Sequence, residues 1–253
     1  MLGWLDRLRA PAPDPARVGW MGGTIYAHRG LHGEQALENS TPAFAAAIAA
    51  GHGIECDVQL TRDGRAAVFH DWTLERLTDQ TGAVAERSLE EMSAIRLNQQ
   101  SGTVPSLEDL LRQVAGKVPL LIEIKSRRER RPNTLCKAVR RALEGYRGPV
   151  AIMSFDPRVG RWFSTRAPRV LRGLVVTEEN ARSFQGRLSR HSALWHARPH
   201  FLAYDVRDLP SGFAAAQRAR GLPLLTWTVR SPALAEIAGE YADAPIAEGA
   251  GLG

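Results

Sequence analysis

Eight short, apolar, β-rich runs recur along the chain with helical stretches between them, and this alternation restricts the available folds more than any other feature. The runs are Thr24–Ala27, Ile54–Val58, Leu120–Ile124, Val150–Ser154, Leu171–Val176, Phe201–Tyr204, Leu222–Val229 and Ala244–Ala247. Helices are predicted from Thr41-Pro42 to Gly51, with Thr41 as N-cap, and over about 106–115, 133–144, 157–166, 182–196, 212–220 and 232–240. Strand–helix order of this kind predicts an α/β protein with a parallel sheet covered by helices. Eight such units in 253 residues predict a closed (β/α)8 barrel. The rival, an open doubly wound sheet, normally shows a glycine-rich phosphate loop after an early strand, and this sequence has no such pattern.

Composition narrows the class further. Apolar residues make up 44% and charged residues 24%, which excludes a disordered chain. No apolar run reaches the length of a membrane span. Cys56 and Cys136 cannot make a disulfide framework, and with no secretory signal pattern at the N-terminus they predict a cytoplasmic protein with reduced thiols. The net charge of +6 favours anionic partners. Residues 1–23 read as an N-terminal extension ahead of a barrel at 24–253. In it, Leu2, Leu5 and Leu8 share a helical face with Trp4 near its edge, and Pro11, Pro13 and Pro15 follow as a stiff linker. Packing of this helix over the bottom of the barrel is expected, with peripheral contact with an anionic membrane as the alternative. Residues 71–105 are polar, carry Gly82 and Gly102, and are too long for a simple connection, so a small inserted subdomain is expected there, after the second-strand hairpin.

The chemistry concentrates at predicted strand ends. Asp63-Gly64 signals a two-residue hairpin between Ile54–Leu60 and Ala66–Phe69. With Arg62 and Arg65 flanking that turn, Asp57 lies opposite His70, and alternation puts Glu55 on the same face as Asp57. Cys56 then points the other way, as a packing residue. Two neighbouring carboxylates repel unless a cation intervenes. Glu123 and Lys125 share one face of the otherwise apolar run Leu120–Ile124, where an ionised pair is costly as mere packing. His28, Arg29 and Gly30 close the first strand with an imidazole, a planar guanidinium and a residue permitting a sharp turn. Three carboxylates favour a hard dication, Mg²⁺ or Ca²⁺, over zinc. Such an ion, two cationic side chains and two histidines point to phosphodiester cleavage by general acid–base chemistry.

With those pieces in place the sequence resembles the glycerophosphodiester phosphodiesterase family over about residues 24–250. The resemblance rests on His28-Arg29-Gly30, Glu38-Asn39-Ser40-Thr41, Glu55-x-Asp57, His70-Asp71, Leu74-x-Arg76-Leu77-Thr78, Thr81-Gly82, Glu123-x-Lys125 and Trp227-Thr228-Val229. It implies a TIM barrel with a small insertion after the His-Asp motif. It implies a divalent cation on Glu55, Asp57 and Glu123, His28 and His70 as general acid and base, and Arg29 and Lys125 on the phosphate. Trp227 would wall the pocket near the glycerol moiety, with Glu38 and Asn39 orienting the groups that touch metal and substrate. The implied substrate is a small glycerophosphodiester, hydrolysed to sn-glycerol 3-phosphate and an alcohol.

The last strand departs from the family pattern, reading Ala244-Pro245-Ile246-Ala247-Glu248-Gly249, and leaves Glu248 and the similarly placed Asp205 without assigned roles. The run Arg127-Arg128-Glu129-Arg130-Arg131 after the Glu123-x-Lys125 strand reads as solvated, or as a contact for anionic head groups. Alternatives are a lysophospholipase D acting at a membrane surface and a non-catalytic phosphate-binding barrel. A nucleic-acid partner lacks any basic stripe interleaved with aromatics.

Overall fold

A computed structural model describes residues 2–98, 101–127, 129, 131–179 and 182–252. Eight parallel strands alternate with helices, and one further strand is the return arm of a hairpin, which is the element order of a (β/α)8 barrel. The chain divides into two compact units, Tyr26–Val150 and Met1–Ile25 with Ala151–Gly253.

The Tyr26–Val150 unit holds strands β1 (Tyr26–Ala27), β2 (Gly53–Leu60), β3 (Ala66–Val68) and β4 (Leu120–Ile124). β2 pairs in parallel with β1, Ala27 beside Ile54, and with β4, Asp57 beside Glu123. The helix after β1, Thr41–Ala49, is capped by Ser40, whose hydroxyl accepts from the Ala43 amide at 3.3 Å, one residue earlier than the expected Thr41. Because Ser40 does the capping, Glu38 and Asn39 are released for other partners. Between β3 and β4, helices Leu89–Ala94 and Leu107–Val114 each open with a capping box, from Ser88 and Ser106. Within residues 71–105, Leu74, Leu77, Val84, Met92, Leu97 and Val104 pack with Ala67 and Phe69 in one apolar cluster.

The hairpin corrects the expected register. Val58 lies opposite Val68 and Leu60 opposite Ala66, so Asp57 faces Phe69, whose amide donates to the Asp57 carbonyl at 3.0 Å, and not His70. The loop has three residues: the Thr61 amide donates to the Arg65 carbonyl, and only Gly64 takes positive φ, at 78°. A two-residue turn of the expected kind needs positive φ at both Asp63 and Gly64. Asp63 instead uses its carboxylate to accept from the Thr61 hydroxyl and the Leu89 amide, which favours the wider turn.

In the second unit, β5 (Val150–Ser154), β6 (Leu171–Val176), β7 (Phe201–Asp205), β8 (Leu224–Val229) and β9 (Ala244–Ala247) pair in sequence order, all parallel. Helices Pro157–Arg166, Phe184–Ala197, Gly212–Ala219 and Pro232–Tyr241 connect them. Leu174, Val176, Leu194, Leu202, Tyr204 and Leu224 form a core that also takes in Ala10 from the N-terminal segment. Cys56 and Cys136 are free thiols, both buried. Among the described residues no helix is long and apolar enough to cross a membrane.

Candidate active site

Because β1, β2 and β4 are parallel neighbours, groups just after β1, within β2 and at the end of β4 come together in the Tyr26–Val150 unit. Asp57 and Glu123 are register partners, and Glu55 shares the Asp57 face. Glu55, Asp57 and Glu123 are all buried, and each offers one oxygen within 4.8 Å of the others. The chain turns sharply after β1. Arg29 and Gly30 both take left-handed backbone, at φ 59° and 84°. This turn aims the Arg29 amide at Glu55 Oε2, 3.1 Å away, and sets His28 Nε2 4.0 Å from the same oxygen. A side chain at Gly30 would meet the Ala43 backbone at 3.0 Å, so glycine is required there by space as well as by φ.

Asp57 is the most heavily partnered carboxylate. Lys125 Nζ lies 2.8 Å from its Oδ1, Arg29 Nε 3.3 Å from its Oδ2, and Asn39 Nδ2 donates to Oδ2 at 3.0 Å. Asn39 Oδ1 in turn accepts from the Asp57 amide at 3.2 Å, a two-point clasp held by left-handed backbone at Asn39, φ 55°. Lys125 Nζ also lies 2.8 Å from Glu123 Oε1. Burial pushes the Asp57 carboxyl up, but Lys125 and Arg29 outweigh it and hold the group below the usual carboxylate range. The same pairing raises Lys125 above an ordinary lysine against the opposing effect of burial, so both remain charged.

Glu55 is the exception. Burial, then repulsion from Asp57 and Glu123, push its carboxyl well above the usual range, and Arg29 and Lys125 do not offset them. Five carboxylates, Glu38, Glu55, Asp57, Asp71 and Glu123, here meet three permanent cations, Arg29, Arg76 and Lys125. With neutral imidazoles two negative charges are left over. A dication among the three buried oxygens would supply that charge and relieve Glu55, and an all-oxygen donor set suits Mg²⁺ or Ca²⁺. The residues therefore fit a hard divalent ion.

A second line of polar contacts starts at His70. Its Nδ1 lies 2.7 Å from Asp71 Oδ1, and Gln59 Nε2 donates to the His70 carbonyl at 2.8 Å. Arg76 donates from Nε to Asp71 Oδ2 and from Nη1 and Nη2 to Glu38 at 2.9 and 2.6 Å, and Glu38 accepts from Arg29 Nη1 at 2.7 Å. Partial burial works against both carboxylates, but hydrogen bonds from Arg76, with Arg29 at Glu38 and His70 at Asp71, hold them below their usual values. His70 is thus tied through Asp71, Arg76 and Glu38 to Arg29. Asp71 and Arg76 carry this connection, and sequence reasoning gave neither a role. The signal was present, since Asp71 adjoins His70 and Arg76 stands in the quoted Leu-x-Arg motif. Beside Lys125 a niche of about 100 Å³ is lined by Leu60, Trp72, Ala85 and Leu135, with the Arg127 guanidinium 4.4 Å over the Trp72 ring. Arg127 and Arg131 of the expected basic run are exposed, whereas Arg128 and Arg130 lie outside the described residues.

The remaining sequence-predicted positions belong to the second unit. Trp227 donates from its indole to the Ala203 carbonyl at 2.9 Å and meets Phe155 edge-on at 5.3 Å, which fixes its ring on β8. Asp205 is buried, caps the turn Val206–Asp208 through the Arg207 amide, and pairs with the Arg207 guanidinium at 2.6 Å. Glu248 pairs with Arg230 at 2.5 Å.

The sequence profile of the glycerophosphoryl diester phosphodiesterase family matches residues 28–246. The chain belongs to this family. A glycerophosphodiester phosphodiesterase of Caldanaerobacter subterraneus subsp. tengcongensis is 29% identical over 218 residues, covering 81% of this chain and 85% of that protein. A glycerophosphodiester phosphodiesterase of Bacillus altitudinis is 40% identical over 107 residues, 40% of this chain and 43% of its own length, so the match to it spans less than half of that relative. Among solved structures, the fold is shared with a phosphodiesterase of Oleispira antarctica in complex with the product sn-glycerol-3-phosphate, at TM-score 0.76 and 22% identity over 90% of this chain and 93% of that one. This family member accordingly has the TIM (β/α)8 barrel fold read from its strand order.

Proposed function

We propose that this protein hydrolyses glycerophosphodiesters to sn-glycerol 3-phosphate and an alcohol. The observation that carries the reading is the buried trio Glu55, Asp57 and Glu123, with His28 Nε2 4.0 Å from Glu55, in a chain of this family that also holds His70 against Asp71. Water, or the neighbouring glycerol hydroxyl, adds to phosphorus and the P–O bond to the alcohol breaks, one proton being taken from the nucleophile and another delivered to the leaving alkoxide; by the second route water then opens the cyclic phosphate. Mg²⁺ or Ca²⁺ held by Glu55, Asp57 and Glu123 would neutralise charge on the phosphate oxygens.

The chain's own groups do the rest. Asp71 accepts from His70 Nδ1, which leaves Nε2 as the lone pair able to take a proton. His28 is the second proton carrier. Arg29 and Lys125 bring fixed positive charge to the phosphate, and their ties to Glu38, Asp57 and Glu123 hold them in position. Glu38 and Asn39 are positioning residues, acting through Arg29 and Asp57. Trp227, its ring fixed by Ala203 and Phe155, is assigned to the glycerol end. Two buried free cysteines support a reducing, cytoplasmic setting.

The test is release of glycerol 3-phosphate from glycerophosphocholine, with and without a chelator, beside lysophosphatidylcholine as competing substrate. His28→Ala and His70→Ala are each expected to lower kcat ~10²-fold or more with unchanged melting. Wild-type turnover in both variants, or a chelator-insensitive rate, would refute the reading. Faster turnover of lysophosphatidylcholine would shift it to a lysophospholipase D, and no turnover with tight phosphate binding would leave a binding protein.

A further inference from the structure

We infer that the side of the second unit built from helices Gly3–Arg9 and Phe184–Ala197 is a docking face for an anionic lipid bilayer. The N-terminal helix is inside out. Its one acidic residue, Asp6, is 1% exposed, while Trp4 is 66% and Leu8 69% exposed, one turn apart. Asp6 anchors the helix by accepting from Trp195 Nε1 at 2.7 Å and Gln217 Nε2 at 2.9 Å and pairing with His191 Nδ1 at 2.8 Å. With the polar group turned inward, the two large apolar side chains are forced outward. Burying a carboxylate while exposing tryptophan and leucine is the reverse of ordinary packing, and it makes sense when the outer face meets something apolar.

The neighbouring helix repeats the pattern. Phe184, Leu188, His191 and Trp195 follow one face at helical spacing. His191 and Trp195 meet Asp6, but the same stripe continues beyond the N-terminal helix as Phe184, 67% exposed, and Leu188, 42% exposed.

Charge selects the occupant. Helices Gly3–Arg9, Phe184–Ala197 and Gly212–Ala219 contain a single carboxylate between them, the buried Asp6, against Arg7, Arg9 and Arg187, besides Arg190 and Arg218, which pair with Glu178 and Asp243 outside these helices. Next to the anchor, a cavity of about 700 Å³ is lined by arginines and carboxylates together: Arg182 pairs with Asp208 at 3.3 Å, Arg190 with Glu178 at 3.4 Å and Arg207 with Asp205 at 2.6 Å, and Arg187 lies beside them as a further donor for a phosphate head group. Exposed Trp and Leu beside Arg is the composition of a helix lying in a bilayer interface. A second copy of the chain on this face would set arginine against arginine. A nucleic-acid backbone would gain nothing from exposed leucines.

This inference is independent of the hydrolytic reading, because vesicle binding reports the surface whatever the site does. The full chain is sedimented with vesicles of phosphatidylcholine alone and of phosphatidylcholine mixed with phosphatidylglycerol. Binding to the mixed vesicles is expected, and little to the neutral ones. Arg7→Ala with Arg9→Ala should weaken it about 30-fold, at about 1 kcal/mol per basic residue. Trp4→Ala with Leu8→Ala should weaken it at least ~10-fold, with melting and turnover of a soluble diester unchanged. Phe184→Ala with Leu188→Ala tests the other helix should the N-terminal variant melt early. No sedimentation of the wild type, equal binding to neutral vesicles, or wild-type binding by both apolar double variants would overturn the proposal. So would a dimer, seen by light scattering without vesicle binding, that Trp4→Ala with Leu8→Ala dissolves.

Discussion

Asp71→Asn is the perturbation that isolates the role of His70. Arg76 donates to both Asp71 oxygens, from Nε to Oδ2 at 2.5 Å and from Nη2 to Oδ1 at 3.1 Å, and His70 Nδ1 shares Oδ1 at 2.7 Å. In the asparagine variant the amide oxygen keeps the shorter contact with Arg76 Nε, and the longer one from Nη2 is given up, since that nitrogen retains Glu38 at 2.6 Å and two donors cannot face each other. The amide NH₂ then points at His70 Nδ1, which has to accept. The proton moves to Nε2, and the lone pair that takes up a proton in the reaction is lost. Where the orienting carboxylate of a catalytic histidine is replaced this way, turnover falls by roughly 10⁴-fold, and loss of general acid–base catalysis alone accounts for ~10²–10⁴. Stability should change little. The pairs among His70, Asp71 and Arg76 are solvent-screened, with side-chain exposures of 30%, 23% and 48%, so their loss costs about 1 kcal/mol or less. The assay is kcat and KM for glycerophosphocholine across pH, beside a thermal melt. A fall in kcat of ~10²-fold or more at nearly constant KM and melting temperature is expected. An Asp71→Asn enzyme within about 3-fold of wild-type kcat would refute the assignment of Nε2 as the proton acceptor, because that loss is far below the range for general-base removal.

Three further outcomes follow from the geometry. Asn39→Ala removes two hydrogen bonds to Asp57 and takes the acceptor from its buried amide N–H, so a denaturant titration should show about 2–4 kcal/mol of destabilisation, and Asn39→Gly, which tolerates φ 55°, should recover only the part due to backbone strain. Saturating Mg²⁺ or Ca²⁺ should raise the melting temperature, by about 5–10 °C at a hundredfold excess over Kd, and Glu55→Gln should abolish that shift, whereas an identical shift in the variant would place the ion elsewhere. Burial, then Arg172 and Arg17, lower the His200 pKa to about 3. Unfolded His200 takes up a proton below about 6.5 while the folded form does not, so its contribution is present above pH ~6.5 and is lost as pH falls toward 3. The slope is at most about 1.4 kcal/mol per pH unit and less with solvent screening, and melts of His200→Gln should flatten this acid limb.

Most of the fold was legible because its signals are local. Apolar runs placed β4, β5, β6 and β9 with the bounds observed, and the helical stretch expected over about 157–166 is the helix Pro157–Arg166. The hairpin register went wrong by one residue because the turn was decided by what the Asp63 carboxylate accepts from, the neighbouring Thr61 hydroxyl and the distant Leu89 amide. Candidate ligands and histidines could be nominated from strand alternation and motif, since side-chain direction within a strand is a local property. Arg76 stands in a motif, but alternation could not say what it touches. Its partners, Glu38 and Asp71, lie 38 and 5 positions away, on segments whose approach no periodicity describes.

The sequence by itself determined the strand–helix rhythm, the faces on which Glu55, Asp57, Glu123 and Lys125 sit, and the oxygen-rich chemistry those residue types allow. Only the tertiary structure decided which charges meet. It placed Lys125 between Asp57 and Glu123, left Glu55 short of positive charge, joined His70 to Arg29 through Asp71, Arg76 and Glu38, and turned Asp6 inward so that Trp4 and Leu8 face out. The reason is range. Backbone propensity and alternation act over a few residues, whereas a buried charge is settled by whichever partner the packed chain brings within a few ångströms, regardless of separation along the sequence.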